Sequence, residues 1–393
     1  MKTALYGSAL AVGLLAGQVC GASAQMINTV KDGARGSILV FPLIVVDPNV
    51  DTFIEISNDQ TSGPGAFLKC TYVNERKGRD NFTFAISPGG SVSWDVKTLN
   101  GDHISPNLFP TSGTFNPNAI GAAFPPTSLT RGELICIATD STFAEALAYN
   151  RLYGRATVLN NPLAAPATEP KQAFRYNSFN FRAWNSNLLA ADGTVLGGSL
   201  GSTSPVSLPL TGALTGLVYD GCPAIDSTAF MPAGAALGGI QTVQNFVAGV
   251  GCNQDLTEPG PQSITTTQLN FVVEDSAEDS FSGAVTCVDS VFSTALGPVA
   301  SVPWITNAQN FTTPPPPTGV NPGPDARVQV LGLANGGCAV DGATSANVGL
   351  LTVFVSEIGL TTFPAAPGFD QIVANTSQTV GAESGSILFT PGP

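Results

Sequence analysis

The fold is decided by the stretch FTFAISPGGSVSWDV, residues 82–96. On both sides of Pro88-Gly89-Gly90, apolar residues alternate with small or polar ones, which is the two-residue period of a half-buried β-strand. Glycine and proline between two such runs are typical of a turn. The stretch therefore predicts a β-hairpin with one buried face and one wet face.

The same period recurs along the chain. Apolar strand faces are predicted at Leu68, Cys70 and Tyr72; at Leu134, Cys136 and Ala138; at Leu269, Phe271 and Val273; at Val328 and Val330; and at Leu351, Val353 and Val355. The 43 glycines and 30 prolines interrupt almost every window in which a helix could extend. The best helical candidate is residues 141–150.

These patterns predict an all-β protein with two immunoglobulin-like or jelly-roll-like β-sandwich domains and long Gly/Pro-rich loops. The N-terminal sandwich is predicted over 25–160 and the C-terminal sandwich over 172–393. A linker over 161–171 is marked by Pro162, Pro166 and Pro170. Long loops are expected over 193–204 and 303–324.

The first 24 residues have the pattern of a secretory signal peptide. Lys2 precedes an apolar run over 4–15, and Ala22-Ser23-Ala24 supplies the small residues that signal peptidase requires. The run is shorter than the roughly 20 residues of a membrane span. We therefore expect cleavage near Ala24, no transmembrane segment, and a location in the periplasm, at the cell surface or outside the cell.

Six cysteines follow the predicted cleavage site, and an even number in an exported chain indicates disulfides. Cys70 and Cys136 lie on apolar strand faces of the N-terminal sandwich, where a bridge between sheets is the simplest pairing. In the C-terminal sandwich, order along the chain favours Cys222–Cys252 and Cys287–Cys338. Other pairings there stay open, because spacing alone does not fix connectivity.

The net charge of the chain limits the kinds of binding partner that we expect. The chain has a formal net charge of −13 and only 11% charged residues. Phosphate backbones and anionic membrane surfaces need clustered lysine and arginine, so this acidic chain is not expected to bind nucleic acid. The expected partners are other copies of the chain or components of the cell surface.

Several segments together resemble a group of uncharacterised exported bacterial β-sandwich proteins. The resemblance is carried by GSILVFP (36–42), DTFIEISN (51–58), KCTYVN (69–74), GELIC (132–136), LYGRAT (152–157) and YDGCP (219–223). It implies a β-sandwich architecture and supplies no activity or site residues.

Two groups of residues are candidates for ligand binding. Glu274, Asp275, Glu278 and Asp279 could hold calcium or act as paired carboxylates, although a charged hairpin tip is the alternative. Trp184 and Trp304 could form a sugar-stacking platform, although aromatic side chains more often pack inside a protein.

The sequence contains residues that match catalytic motifs, but the segments around them do not fit those motifs. Ser199 lies in a G-x-S-x-G match, but no histidine follows it, and His103 beside Asp102 lies in a predicted turn. No catalytic residue and no cofactor is predicted; calcium is the one metal considered. The first functional hypothesis is an exported, non-catalytic structural or surface protein that self-assembles. A carbohydrate- or ligand-binding module is the alternative, and a secreted hydrolase is the third.

Overall fold

The computed structural model describes residues 30–46, 50–74, 79–97, 130–160, 172–184, 191–197, 205–210, 219–229, 240–257, 267–274, 280–288, 291–296, 327–333, 349–360, 371–375, 378–383 and 385–390. Over these ranges the chain forms strands and no helix, which confirms the all-β class. In particular, they include no apolar helix with the length needed to cross a bilayer.

The strands of the N-terminal half are β1 (Lys31–Asp32), β2 (Ile38–Val46), β3 (Val50–Asn58), β4 (Ala66–Asn74), β5 (Arg79–Ile86), β6 (Ser91–Asp95), β7 (Thr130–Thr139), β8 (Ala146–Tyr149), β9 (Leu152–Asn160), β10 (Gln172–Asn177), β11 (Phe179–Phe181) and β12 (Asp192–Gly197). They are followed by β13 (Val206–Leu210), β14 (Cys222–Ala229), β15 (Ile240–Gly251), β16 (Asn253–Leu256), β17 (Thr267–Glu274), β18 (Ser280–Val288), β19 (Phe292–Leu296), β20 (Arg327–Leu333), β21 (Leu350–Leu360), β22 (Gln371–Asn375), β23 (Gln378–Glu383) and β24 (Gly385–Phe389).

Five sheets contain these strands. The central sheet has eight strands in the order β1-β11-β2-β7-β4-β5, with β8 joined to β7 and β12 joined to β8. The small N-terminal sheet has the order β10-β9-β3-β6. The other three have the orders β13-β24-β16, β18-β17-β20-β14-β23 and β19-β15-β21-β22.

Both faces of the central sheet are buried. Leu39 and Phe41 of β2 point into a first core shared with the small N-terminal sheet, whereas Ile38 and Val40 point into a second core shared with β13 and β24. All nine residues of β2 are buried for this reason. A strand covered on both sides is apolar along its whole length, which explains the unbroken sequence ILVFPLIVV.

The predicted hairpin over 82–96 is wrong in its pairing. β5 and β6 are both strands, and Gly90 N donates to Ser87 O at 2.9 Å in the turn between them. However, β5 pairs with β4 in the central sheet, and β6 pairs with β3 in the small sheet. The connection crosses between layers, so Phe82 and Trp94 meet through their side chains, with ring centroids 5.8 Å apart.

Two predicted cysteine pairs are disulfides in the structure, Cys70–Cys136 and Cys222–Cys252. The first does not bridge two sheets as expected. Cys70 of β4 lies directly opposite Cys136 of β7, and their Cα atoms are 4.0 Å apart, because the two strands are neighbours in the central sheet. Cys338 and the side chain of Cys287 lie outside the described residues, so the third pair stays a prediction.

Residues 172–197 extend the sheets of the N-terminal half. β10 pairs with β9, β11 pairs with β2, and β12 pairs with β8. Both cores also contain side chains from the two sides of the predicted 161–171 linker, for example Phe246 in the first core and Leu208 in the second. The division into two domains stays a prediction, but the strand pairing crosses the linker.

Two local predictions are corrected. The helical candidate over 141–150 is a turn followed by β8, in which Ala146 and Ala148 are buried on alternate positions. The loop predicted over 193–204 begins instead as β12, which pairs irregularly with β8. The rest of that predicted loop, 198–204, lies outside the described residues, as do the predicted loop over 303–324 and the predicted signal peptide.

Candidate functional site

The described surface contains an open groove of about 930 Å³ beside the paired strands β8 and β12. We call it the Arg/Asp groove after the charged side chains that line it. Those used below are Arg35, Asp59, Asp140, Tyr149, Arg151 and Asp192. They come from the residues before β2, the segment after β3, the turn after β7, and the ends of β8 and β12.

Two ion pairs lie along the groove. The Arg35 guanidinium contacts the Asp59 carboxylate, and Arg151 Nη2 lies 3.4 Å from Asp192 Oδ2. The arginines keep much of their surface exposed, 61% for Arg35 and 47% for Arg151. Each guanidinium has five N–H donors, so a single contact leaves donors available to a ligand.

Asp59 also supplies an acceptor that the described part of the chain leaves unused. Its Oδ2 faces Arg35, whereas its Oδ1 is buried and accepts no hydrogen bond within the described ranges. A buried carboxylate oxygen without a donor is costly. Because this oxygen is buried, a ligand in the groove cannot donate to it unless the Asp59 side chain shifts.

The buried residue Asn150 fixes part of the groove through hydrogen bonds. Asn150 N donates to Asp192 Oδ1 at 2.8 Å, which fixes that carboxylate. The Asn150 side chain accepts from Ser37 Oγ at 2.9 Å and from Ala183 N at 2.7 Å, and it donates to Ala191 O. These bonds connect the residue before β2, the residue after β8 and the start of β12, so buried hydrogen bonds at the strand ends fix this part of the groove.

Tyr149 forms part of the apolar wall and is also fixed in place. Its hydroxyl donates to Asn58 Oδ1 at 3.1 Å, and its backbone N donates to Ser37 Oγ at 2.7 Å. Burial raises the pKa of the Tyr149 phenol above its ordinary value. Tyr149 is therefore a neutral side chain with an apolar ring face at physiological pH.

Asp140 organises the turn that replaces the predicted helix. Its Oδ1 accepts from Ala144 N at 2.8 Å and from Glu145 N at 3.1 Å, and Thr142 donates to its Oδ2. Burial would raise the pKa of Asp140, but these hydrogen bonds outweigh it and the pKa lies below its ordinary value. The carboxylate is ionised, and a general acid for glycoside hydrolysis needs the opposite shift.

The structure places Trp184 in a cluster away from the groove. Its indole Nε1 donates to Asp220 Oδ1 at 2.7 Å, and the Arg182 guanidinium lies 4.6 Å from its ring centroid. Arg182 Nε also donates to Asp220 Oδ2 at 3.1 Å. Burial raises the pKa of Asp220, in spite of these hydrogen bonds. The Arg182 guanidinium therefore covers one face of the Trp184 ring, and the sugar platform of Trp184 and Trp304 stays a prediction.

The other candidate residues lie where the structure gives no side-chain information. Trp304, Asp275, Glu278 and Asp279 are outside the described residues, and only the backbone of Glu274 is described. Within the described ranges, no three His, Cys, Asp or Glu side chains come together as a metal site would require. The calcium hypothesis stays untested.

Sequence reasoning singled out none of the residues of the Arg/Asp groove. Strand pairing brings these residues together, and they are far apart along the chain. A motif search of the sequence therefore does not identify them as one site. The one local signal is Asp140-Ser141-Thr142, since aspartate followed two residues later by threonine is typical of a side-chain-capped turn.

No protein-family model matches the chain, and a comparison with curated proteins finds no match either. A functional proposal therefore depends on the fold and on the geometry of the described side chains.

Proposed function

We propose that the protein is an exported, non-catalytic structural protein of the cell surface that associates with copies of itself. The observation that carries this proposal is an uncovered aromatic surface on the small N-terminal sheet. We call it the Phe53/Tyr153 face. Phe53 of β3 is 43% exposed and Tyr153 of β9 is 40% exposed, and both point away from the first core.

The charges on this face suit self-association. Between the two aromatic rings, Arg155 Nε donates to Glu55 Oε2 at 3.0 Å in a two-point ion pair. Because these two charges balance each other, the centre of the face between the two rings has no net charge, although the chain has a net charge of −13. Copies that meet through this face avoid most of the repulsion between acidic surfaces.

Aromatic side chains and arginine are the residues most enriched in protein interfaces. An exposed pair of aromatic rings around an internally neutralised ion pair therefore fits a second copy of this chain better than an acidic or basic partner.

The framework behind the face suits an exported structural role. Disulfides persist in oxidising compartments, and the protein has them at Cys70–Cys136 and Cys222–Cys252. Buried polar groups also act as ties within and between layers: Lys69 Nζ donates to Thr390 O at 2.6 Å, and Thr352 N donates to Asp226 Oδ2 at 3.0 Å. These bonds connect segments that are far apart in sequence.

The test is the oligomeric state of the secreted, disulfide-bonded protein. We expect sedimentation velocity to show concentration-dependent association and negative-stain microscopy to show ordered assemblies. The double variant Phe53→Ser/Tyr153→Ser should shift the protein to monomer. Val195→Ser is the matched control, because Val195 is 51% exposed but lies on β12.

Two results would contradict the proposal. One is a wild-type protein that stays monomeric at every concentration. The other is association that the Phe53/Tyr153 double variant leaves unchanged, since that would place the interface elsewhere. Thermal melting of each variant shows whether the fold is intact.

A further inference from the structure

The Arg/Asp groove has a balance of charge that selects the chemical class of its ligand. Two guanidiniums, those of Arg35 and Arg151, and three carboxylates, those of Asp59, Asp140 and Asp192, line it. Arg35 pairs with Asp59 and Arg151 pairs with Asp192, and N–H donors of its own turn hold the Asp140 carboxylate. A charged ligand would have to displace one of these partners. The groove therefore favours a ligand without net charge.

The free hydrogen-bonding positions narrow the ligand further. The Asp192 carboxylate, 44% exposed, is an accessible acceptor, and the exposed guanidiniums of Arg35 and Arg151 are donors. A hydroxyl group both donates and accepts, so a row of hydroxyls can satisfy both kinds of position. Hydrogen bonds to charged groups are also the stronger ones.

The groove has apolar walls as well as charges. Phe67, Leu147 and the ring of Tyr149 line it, and Phe67 is held edge-on to Phe143 with ring centroids 5.9 Å apart. Pockets for organic ligands combine such apolar walls with a few fixed polar groups, and typically measure about 300–1,000 Å³. A volume of about 930 Å³ exceeds the need of a single sugar ring and suits a short chain of them.

We propose that the Arg/Asp groove is a binding site for a neutral glycan chain. Sugar hydroxyls accept from the guanidiniums of Arg35 and Arg151 and donate to the exposed Asp192 carboxylate, and the C–H faces of the sugar rings pack on Phe67 and Tyr149. This goes beyond the proposed structural role, and it uses neither Trp184 nor the Phe53/Tyr153 face.

A glycan array followed by isothermal titration calorimetry tests the site on the full secreted chain. The neutral probes are linear gluco-, manno- and xylo-oligosaccharides; the charged probes are oligogalacturonate and chitosan oligosaccharides. We expect a neutral probe to bind and both charged probes to bind at least about tenfold more weakly, since an unmatched charge opposite a fixed charge is disfavoured.

Two single substitutions test whether the glycan binds in the Arg/Asp groove. Arg35→Gln and Arg151→Gln should each weaken binding of the neutral probe by about tenfold or more, because each removes charge-assisted donors. Arg175→Gln is the matched control, since Arg175 lies on β10 and donates to Thr157 Oγ1 on the small N-terminal sheet. It should bind like the wild type.

The proposal is overturned if no neutral probe binds, if a charged probe binds more tightly than every neutral one, or if both groove variants bind like the wild type. Thermal melting of each variant shows whether weaker binding comes from the changed site or from an unfolded protein. Failure of glycan binding leaves the self-association result unaffected, because the two surfaces share no residue.

Discussion

The close approach of Cys222 requires a residue without a side chain at position 349. A Cβ atom at Gly349 would lie 2.1 Å from Cys222 Cβ and 2.9 Å from Pro223 O, which is too close for either contact. We expect Gly349→Ala to lower the free energy of unfolding by about 1–3 kcal/mol, the usual cost of overpacking. Chemical denaturation under non-reducing conditions measures the change.

Gly193→Ala is the control for that substitution. A Cβ at Gly193 meets nothing within 4 Å, but the backbone there has a φ of +77°. Only the left-handed backbone is penalised, by roughly 1–2 kcal/mol. A penalty below about 0.5 kcal/mol for Gly349→Ala would contradict the crowding at position 349.

Asp51, near the start of β3, should make stability depend on pH. Burial is the main cause that raises its pKa to about 7, and the nearby Asp95 carboxylate adds to the shift. The unfolded chain releases this proton near pH 4, at about the ordinary pKa of aspartate. The stabilisation from Asp51 is therefore complete below about pH 4 and is lost as the pH rises through 7.

We expect the free energy of unfolding to fall by about 2 kcal/mol from this group between about pH 5 and pH 8. Asp51→Asn should remove that part of the slope, because an amide oxygen can still accept from Thr52 N and Lys97 N. Denaturation of both proteins across this pH range makes the comparison. Parallel slopes would mean that Asp51 titrates like an exposed aspartate.

At the scale of elements, β2 contains a proline in the middle of the central sheet. Pro42 has no N–H for a neighbouring strand, and the pairing of β2 with β7 shifts register between Phe41 and Ile44. Tyr176 of β10 fills the gap: Leu43 N donates to its hydroxyl at 3.2 Å, and that hydroxyl donates to Leu43 O. One side chain of the small sheet thus replaces a lost backbone partner.

Tyr176→Phe should lower the free energy of unfolding by about 1–3 kcal/mol, because it leaves two buried backbone groups without their partner. Tyr153→Phe makes the same chemical change on an exposed side chain and should cost less than about 0.5 kcal/mol. Urea denaturation of both variants gives the two values. Similar losses would show that the Tyr176 hydroxyl has no special role at the irregular position.

The alternating pattern predicted strand faces well and strand partners poorly. Phe82, Phe84 and Trp94 are all buried as their period requires. Their period does not distinguish a hairpin from a crossing between layers, because both place these side chains in one core. The pattern over 141–150 was wrong as a helix because the Asp140 carboxylate binds backbone N–H groups that a helix would have used, as Ser, Asn and Asp commonly do.

At the scale of the whole molecule, the Arg/Asp groove was beyond sequence reasoning. Arg35 and Asp59 come from one pair of segments, whereas Arg151 and Asp192 come from another. Each ion pair joins segments that strand pairing brings together, and no short sequence motif predicts it. The same holds for the two-sided burial of β2: its apolar run predicted a strand, but the sequence did not show which layers cover it.

Residues 25–160 should not fold as a separate domain, although the sequence predicts a sandwich there. In the fragment, the residues after 160 no longer cover the face of the central sheet that lines the second core. Four aliphatic side chains on that face become exposed: Ile38, Val40, Ile135 and Ile137. Each buried aliphatic side chain contributes about 1.5–3 kcal/mol, so four of them amount to a loss comparable with the whole stability of a typical domain. We expect the 25–160 fragment to bind hydrophobic dyes and to melt without a cooperative transition. The full chain cleaved once within 161–171 should instead keep its melting transition. A cooperative melt of the fragment alone would instead establish the N-terminal sandwich as an independent unit and reduce the strand pairing across the linker to a contact between two domains.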